Sequence, residues 1–315
     1  MTEILFIKTS SLGDAIHHMP AVAESRAHYP QSRISWLVEE AYAPLVALHP
    51  AVDDIIPVAW RRWRQRLLAP QIWREIGDWR RRVGGKPFDA IVDTQGLIRT
   101  ALMSRFANGV RHGYDSASIR EPLASRFYDV RHAVSRQLHA IERNRRLTGL
   151  ALGYAPSGTV NYGLDRVALR AGNERYAIFL HGTARPEKEW PAANWIALGK
   201  QLSGRGLELI VPWGNERERA RALHIADAVP NARVPERLSV EQMARLIANA
   251  QCVVGGDTGF VHLAAAFGVP LVAIFSGTDP ALTRPIGAGP VEVVGAKGVT
   301  PSVENVAGAL EKVWR

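Results

Sequence analysis

Along this chain short runs of Val, Ile and Leu recur with longer amphipathic stretches between them, and the pattern is run through twice. Short apolar runs without alternation suit strands buried on both faces of a parallel sheet, and the amphipathic stretches supply crossover helices to cover those faces. The pattern predicts strands near residues 4–7, 34–38, 55–58, 90–93 and 111–114, with a helix from 15 to about 29 after the first. It resumes at 176–180 and continues through 207–211, 252–254, 271–275 and 291–294. Between the two passes, residues 154–172 hold Pro156, Ser157, Gly158, Gly163 and Gly172 with weak helical periodicity, which places a linker there. Val303, Val306, Leu310 and Val313 lie at helical spacing, so a closing helix is expected over 302–314. The expected fold class is α/β, with domains over 1–160 and 173–315, since 315 residues exceed what one core usually serves. Two such domains in tandem leave a cleft. Ligands of parallel sheets bind beyond the carboxyl ends of the strands, so site residues are expected in post-strand loops.

Charge narrows the partners. The net charge is +9, and nearly all of the excess lies early: residues 1–175 hold 25 Lys and Arg against 17 Asp and Glu, whereas 176–315 hold 14 against 13. A field on one half favours an anionic partner there: nucleic acid, an acidic membrane surface or an acidic substrate, with a merely soluble basic surface as the alternative. The single cysteine, Cys252, lies in an apolar run and reads as a small core residue. No basic stretch precedes the first apolar run, which is shorter than the roughly 7–15 residues of an export signal's core, so a cytoplasmic location is expected. The longest apolar stretch, 263–275, is broken by Gly268 and Pro270 and falls short of the roughly 20 residues of a membrane span, so any membrane contact is expected to be peripheral.

Four segments carry chemistry. Thr9-Ser10-Ser11-Leu12-Gly13-Asp14 leads from the first strand into a helix, where unpaired backbone N–H groups and the positive helix end suit an anion. No G-x-G-x-x-G occurs there and no G-x-x-x-x-G-K-[ST] anywhere, which argues against a dehydrogenase or a P-loop NTPase. Asp14 has two readings, a helix N-cap or a general base facing the cleft. In Gly255-Gly256-Asp257-Thr258-Gly259-Phe260-Val261-His262 a strand feeds a Gly-rich turn into a helix starting near Thr258. Thr258 and the N–H of Gly259 could donate to phosphate oxygens while Asp257 and His262 face a polar ligand; the other reading makes Asp257 the N-cap and His262 a core histidine. The loop His181 to Pro191 gathers Thr183, Arg185 and Lys188, suited to a diphosphate or to a solvated surface, and Glu216 after Pro212-Trp213-Gly214 offers a carboxylate to a ribose or belongs to a helix's first turn. Trp60-Arg61-Arg62-Trp63-Arg64 could grip anions, or be a solvated helix face with tryptophans beneath. No nucleic-acid-binding motif accompanies it, and the ten histidines show no Zn-ligand spacing, so neither nucleic acid nor a metal is expected.

Lys8 to Asp14 with Pro20, Arg61-Arg62-Trp63-Arg64, Arg120-Glu121-Pro122-Leu123-Ala124-Ser125, His181 to Pro191, Pro212-Trp213-Gly214 and Gly256-Asp257-Thr258-Gly259 with His262 together resemble the ADP-heptose:lipopolysaccharide heptosyltransferases, glycosyltransferase family 9. The likeness spans nearly the whole chain, and its opening and R-R-W-R segments are similar to the branch acting on Kdo (heptosyltransferase I) rather than the branch acting on heptosylated core (heptosyltransferase II). The resemblance implies the GT-B fold, two Rossmann-like α/β/α domains facing each other across a cleft, and inversion at the anomeric carbon. It implies ADP-L-glycero-β-D-manno-heptose as a co-substrate with no other cofactor, a Kdo-lipid A acceptor, and a monomer working on the cytoplasmic face of the inner membrane. By position, Asp14 matches the base, and Lys188 with Thr183 matches diphosphate contacts. Ala184 stands where a second threonine is common. Glu216 or its rival Glu218 falls at a ribose contact, Leu238 at an adenine contact, and Asp257, Thr258, Gly259 and His262 at donor contacts. Ser11, Gly13, Arg61, Arg62, Arg64 and Arg120 would receive the acidic acceptor.

Overall fold

The computed structural model describes residues 2–172, 175–183, 189–277 and 280–314. The chain divides into two compact units, Met1–Gly163 and Leu164–Arg315.

The first unit is one six-stranded parallel sheet built from β1 (Glu3–Ile7), β2 (Arg33–Glu39), β3 (Asp54–Val58), β4 (Pro87–Asp93), β5 (Asn108–Tyr114) and β6 (Val130–His132), in the order β3-β2-β1-β4-β5-β6. The strands at its centre are apolar throughout because helices cover both faces: Ile4, Leu5, Phe6 and Ile7 are all fully buried. One core layer joins Leu5, Ile7, Leu37, Ile56 and Ile91 to Trp63 and Trp79, whose rings meet edge to face at 6.0 Å. The helix Leu12–His28 follows β1 directly.

The second unit holds β7 (Tyr176–Leu180), β8 (Glu208–Ile210), β9 (Ala232–Arg233), β10 (Cys252–Gly256), β11 (Leu271–Ile274) and β12 (Val291–Val294), in the order β12-β11-β10-β7-β8-β9. Counted from its own first strand, this is the same 3-2-1-4-5-6 order as the first unit, the doubly wound arrangement. Phe179, Trp190 and Trp195 form its aromatic centre, and Cys252 is buried beside them as expected. The closing helix runs Val303–Val313, with Ser302 as N-cap. Within the segment read as a linker, Asp165 caps a short helical turn, Arg166–Leu169.

In both sheets the chain reverses direction of growth between the first and fourth strands, β1 and β4 in one unit and β7 and β10 in the other. Sheets of this kind take ligands at such switch points, beyond the carboxyl edge, where the loops leaving the two strands run in opposite directions.

Candidate active site

In the first unit, the loop after β1 turns into the helix Leu12–His28 at Ser11. Asp14 is therefore not the N-cap, one of its two readings. Ser11 caps, and Asp14 stands three residues on, where a carboxylate can reach back to the cap's own N–H. Its Oδ2 accepts from the Ser11 N–H at 2.5 Å, with the Ser11 hydroxyl 3.3 Å from the same oxygen. Among the described residues Oδ1 takes no hydrogen bond. Gly13 is buried beside it, and Ser11 is exposed.

Behind this turn lies a buried cation that sequence reasoning did not assign. Lys8 donates from Nζ to the Thr94 carbonyl at 3.0 Å and to Asn144 Oδ1 at 3.5 Å, and Asn144 Nδ2 donates in turn to the His17 carbonyl at 3.0 Å. Burial pulls the Lys8 ammonium below its ordinary value; Asp14 and Asp93 pull it back up, while Arg143 and Arg120 add to the lowering. Asp14, Asp93 and Arg120 thus all act electrostatically on Lys8.

Asp93, at the end of β4, is the second residue missed. Its Oδ1 accepts from the Gln95 and Gly96 N–H groups at 2.9 and 3.2 Å, and its Oδ2 accepts from the Tyr128 hydroxyl at 2.8 Å. Burial raises its carboxyl, and these donors offset part of that rise. Arg99 is the third. It donates to Ser10 Oγ at 2.5 Å, and the Ser10 N–H donates to Gln95 Oε1 at 3.0 Å, tying the β1 and β4 loops together. The signal available was Asp93-Thr94-Gln95-Gly96, a polar turn straight after an apolar strand.

Arg61, Arg62 and Arg64 are exposed on and just after the helical turn Trp60–Trp63, with Trp63 buried beneath them. Arg62 already holds Glu40 at 3.2 Å and Glu75 at 2.8 Å, and Arg61 lies 5.3 Å over the Tyr42 ring. Exposed pairs of this kind are weak and exchangeable, so an acidic ligand could displace them.

In the second unit three loops converge on the carboxyl ends of β7 and β10. Thr183 packs on Gly256 so closely that a Cβ there would come 2.8 Å from Thr183 Cγ2. One position earlier, a Cβ on Gly255 would meet Val261 Cγ1 at 2.5 Å, so only glycine lets the following helix settle on the strand. The helix is Gly259–Ala266, and its N-cap is Thr258 rather than Asp257, because Thr258 keeps extended backbone and Asp257 still belongs to the turn. The Thr258 hydroxyl makes no capping bond, and among the described residues its buried Oγ1 has no partner. An unmatched hydroxyl beside the N–H groups of a helix N-terminus is a ready anion contact. His262 is buried within that helix, and Asp257 is half-buried.

His181, where β7 ends, is buried, and its imidazole is pushed down to about 4, by burial first and then by Arg221. It is therefore neutral at neutral pH. The helix after β8, Glu216–Asp227, is capped by Asn215, which sets Glu216 in the exposed first turn. Glu218 is the carboxylate against the β7 loop: a Cβ on Gly182 would lie 2.7 Å from Glu218 Cδ, and Glu218 accepts from the Gly214 N–H at 2.7 Å. Leu238 is half-buried just before the helix Val240–Asn249. Ala184 and Lys188 lie outside the described residues.

Known proteins resemble this chain over most of its length. The family model of glycosyltransferase family 9 (heptosyltransferase) matches residues 76–310. Lipopolysaccharide heptosyltransferase 1 of Salmonella typhimurium is 41% identical over 284 residues, covering 89% of this chain and 90% of that protein. Lipopolysaccharide heptosyltransferase 2 of the same organism is 25% identical, covering 90% and 85%. Among solved structures, E. coli heptosyltransferase WaaC with ADP matches at a TM-score of 0.93 and 36% identity over 99% of both chains; WaaC with ADP-2-deoxy-2-fluoro heptose matches at 0.90.

Proposed function

The chain belongs to glycosyltransferase family 9, the heptosyltransferases, and from that premise we propose that it moves L-glycero-D-manno-heptose from ADP-heptose onto a Kdo residue of Kdo-lipid A, in the inner core of lipopolysaccharide. Heptosyl transfer is the activity for which this family is named, and the higher identity to heptosyltransferase 1 than to heptosyltransferase 2 favours the Kdo-bearing acceptor.

The observation that carries the mechanism is the Asp14 carboxylate, with one oxygen pinned to the Ser11 N–H and the other left to take a proton. In our reading, Oδ1 accepts the proton of the Kdo hydroxyl as that oxygen bonds to C1 of the heptose. The bond from C1 to the β-phosphate oxygen breaks on the opposite face, its electron pair leaves with ADP, and the anomeric configuration inverts. Thr258 and the Gly259 N–H would take the growing negative charge on the leaving phosphate, joined by Thr183 and, as the family resemblance implies, Lys188. Glu218, rather than Glu216, is the better placed ribose contact because it faces the β7 loop. Arg61, Arg62, Arg64 and Arg120 suit the carboxylates and phosphates of the acceptor.

Nothing in this scheme asks for a metal, so turnover should persist in EDTA. No helix among the described residues is long and apolar enough to cross a membrane, and an acceptor anchored by lipid A would require the protein to work at the membrane surface. The test is ADP release from ADP-heptose with Kdo-lipid A as acceptor. Release on heptosylated core alone would transfer the assignment to the second branch, and release on neither would remove it.

A further inference from the structure

The stretch after the arginine-tryptophan turn ends in two exposed leucines. Leu68 is 100% exposed and Leu67 48%. Trp73, 60% exposed, donates from its indole to the Leu67 carbonyl at 2.8 Å, so the three apolar side chains belong to one patch. Trp73 opens a stripe along the helix Pro70–Gly84. Gly77, Arg80, Arg81 and Gly84 follow it at spacings of four, seven, eight and eleven residues, which fall on one helical face. The core of the unit takes another face, with Ile72, Trp79 and Val83 buried. Beyond the stripe, Arg105 and Phe106 join Gly77, Arg80, Arg81 and Gly84 around one shallow depression, and the Arg80 guanidinium lies 4.4 Å over the Phe106 ring. Asp78 pairs with Arg81, and Glu75 is already taken by Arg62 and the Trp63 indole.

We propose that this face docks on an anionic phospholipid bilayer, with Leu67, Leu68 and Trp73 entering the interfacial layer while Arg80, Arg81 and Arg105 hold lipid phosphates. Leucines this exposed are costly in water and are stabilised among acyl chains. Trp is the side chain that settles at headgroup depth. Arginines beside it complete an amphipathic surface whose charge complements an acidic leaflet. A nucleic acid would match the arginines and leave the leucines in water. The inference does not depend on the transferase reading, because a bare phospholipid vesicle contains no sugar acceptor.

The full chain is floated with vesicles of phosphatidylcholine alone, or with one third phosphatidylglycerol, at physiological salt. Wild type is expected to bind the acidic vesicles and to be largely released by high salt. Leu67→Ser/Leu68→Ser should weaken binding at least about tenfold, and Arg80→Gln/Arg81→Gln/Arg105→Gln about a hundredfold. Both variants should unfold at the wild-type temperature, since the side chains altered are exposed. As a second measurement that perturbs the patch least, Trp73→Phe should lose a blue shift of fluorescence that acidic vesicles cause in wild type. Equal binding to neutral and acidic vesicles, no binding to either, full binding by the double leucine variant, an unchanged blue shift in Trp73→Phe, or tighter binding to an unstructured RNA than to acidic vesicles would each overturn the proposal.

Discussion

The proposed mechanism gives Asp14 a catalytic duty beside its structural one, and two substitutions separate them. Asp14→Asn keeps an oxygen that can accept the Ser11 N–H but cannot take a proton at neutral pH; Asp14→Ala loses both. General-base catalysis contributes about 10²- to 10⁴-fold, or roughly 3–5 kcal/mol of barrier, and both variants should lose that much kcat. Their stabilities should differ. The reach back to the cap contributes about 0.5–2 kcal/mol, and a negative charge in the first turn of this 17-residue helix about 0.3–1 kcal/mol more. At roughly 2–4 °C per kcal/mol for a domain of this size, Asp14→Ala should melt several degrees below wild type, with Asp14→Asn between them. The assays are steady-state ADP release, thermal unfolding by circular dichroism, and ADP affinity by calorimetry, which neither change should move because the loops proposed for the donor lie on the other unit. If Asp14→Asn retained kcat within about threefold while Asp14→Ala lost both activity and stability, Asp14 would only support the Ser11 cap and be no base, and the mechanism above would fall.

Three further outcomes test the surroundings. Tyr128→Phe strands Asp93 Oδ2 in the core, at a cost of about 1–3 kcal/mol. Because burial already holds the Asp93 carboxyl above its ordinary value, its ionisation destabilises the fold as pH rises through the folded pKa; losing the phenol raises that pKa further, so the deficit should grow with pH above the ordinary carboxylate range. Equal deficits near about pH 4 and about pH 8 would mean that Asp93 does not ionise there. Thr258→Ala removes a buried hydroxyl with no partner among the described residues, so the melting temperature should hold or rise while ADP binds about five- to tenfold more weakly; a large thermal loss would place that hydroxyl in a protein hydrogen bond instead. Gly256→Ala should drive Thr183 out of place and weaken ADP binding about tenfold in calorimetry, whereas wild-type affinity would show that the two loops part without consequence.

Periodicity made the central strands and the edge strands β3 and β12 legible, but not the other two edges. Strands such as β1 and β7 carry the continuous apolar runs that two covered faces demand, so their presence could be read directly. The strands β6 (Val-Arg-His) and β9 (Ala-Arg) lie at sheet edges, are only partly covered and are too short to show any period, and neither was expected. Strand order was not legible at all, because one buried parallel strand resembles another in sequence; it takes the paired registers of β1 with β4 and of β7 with β10 to locate the crevices.

Within the site, what could be read was whatever a local segment decides by itself. Ser11-Leu12-Gly13-Asp14 has the spacing of a cap and a reaching carboxylate, yet the choice between cap and base needed the helix to begin at a definite residue. A shift of the cap from Asp257 to Thr258 likewise changes which side chain remains for a ligand. Glu216 and Glu218 were indistinguishable until Asn215 fixed the helical phase, since two positions along a helix point about 200° apart and only one of them can meet the β7 loop. Asp93 and Lys8 were beyond reach for a different reason. The donor that matters to Asp93 is Tyr128, 35 residues on, and the acceptors for Lys8 include Asn144, 136 residues on. A buried charge is tolerated only with such partners, and a sequence without its fold does not say who they are. It follows that the least legible residues in this chain are the ones whose substitution should couple stability and turnover together.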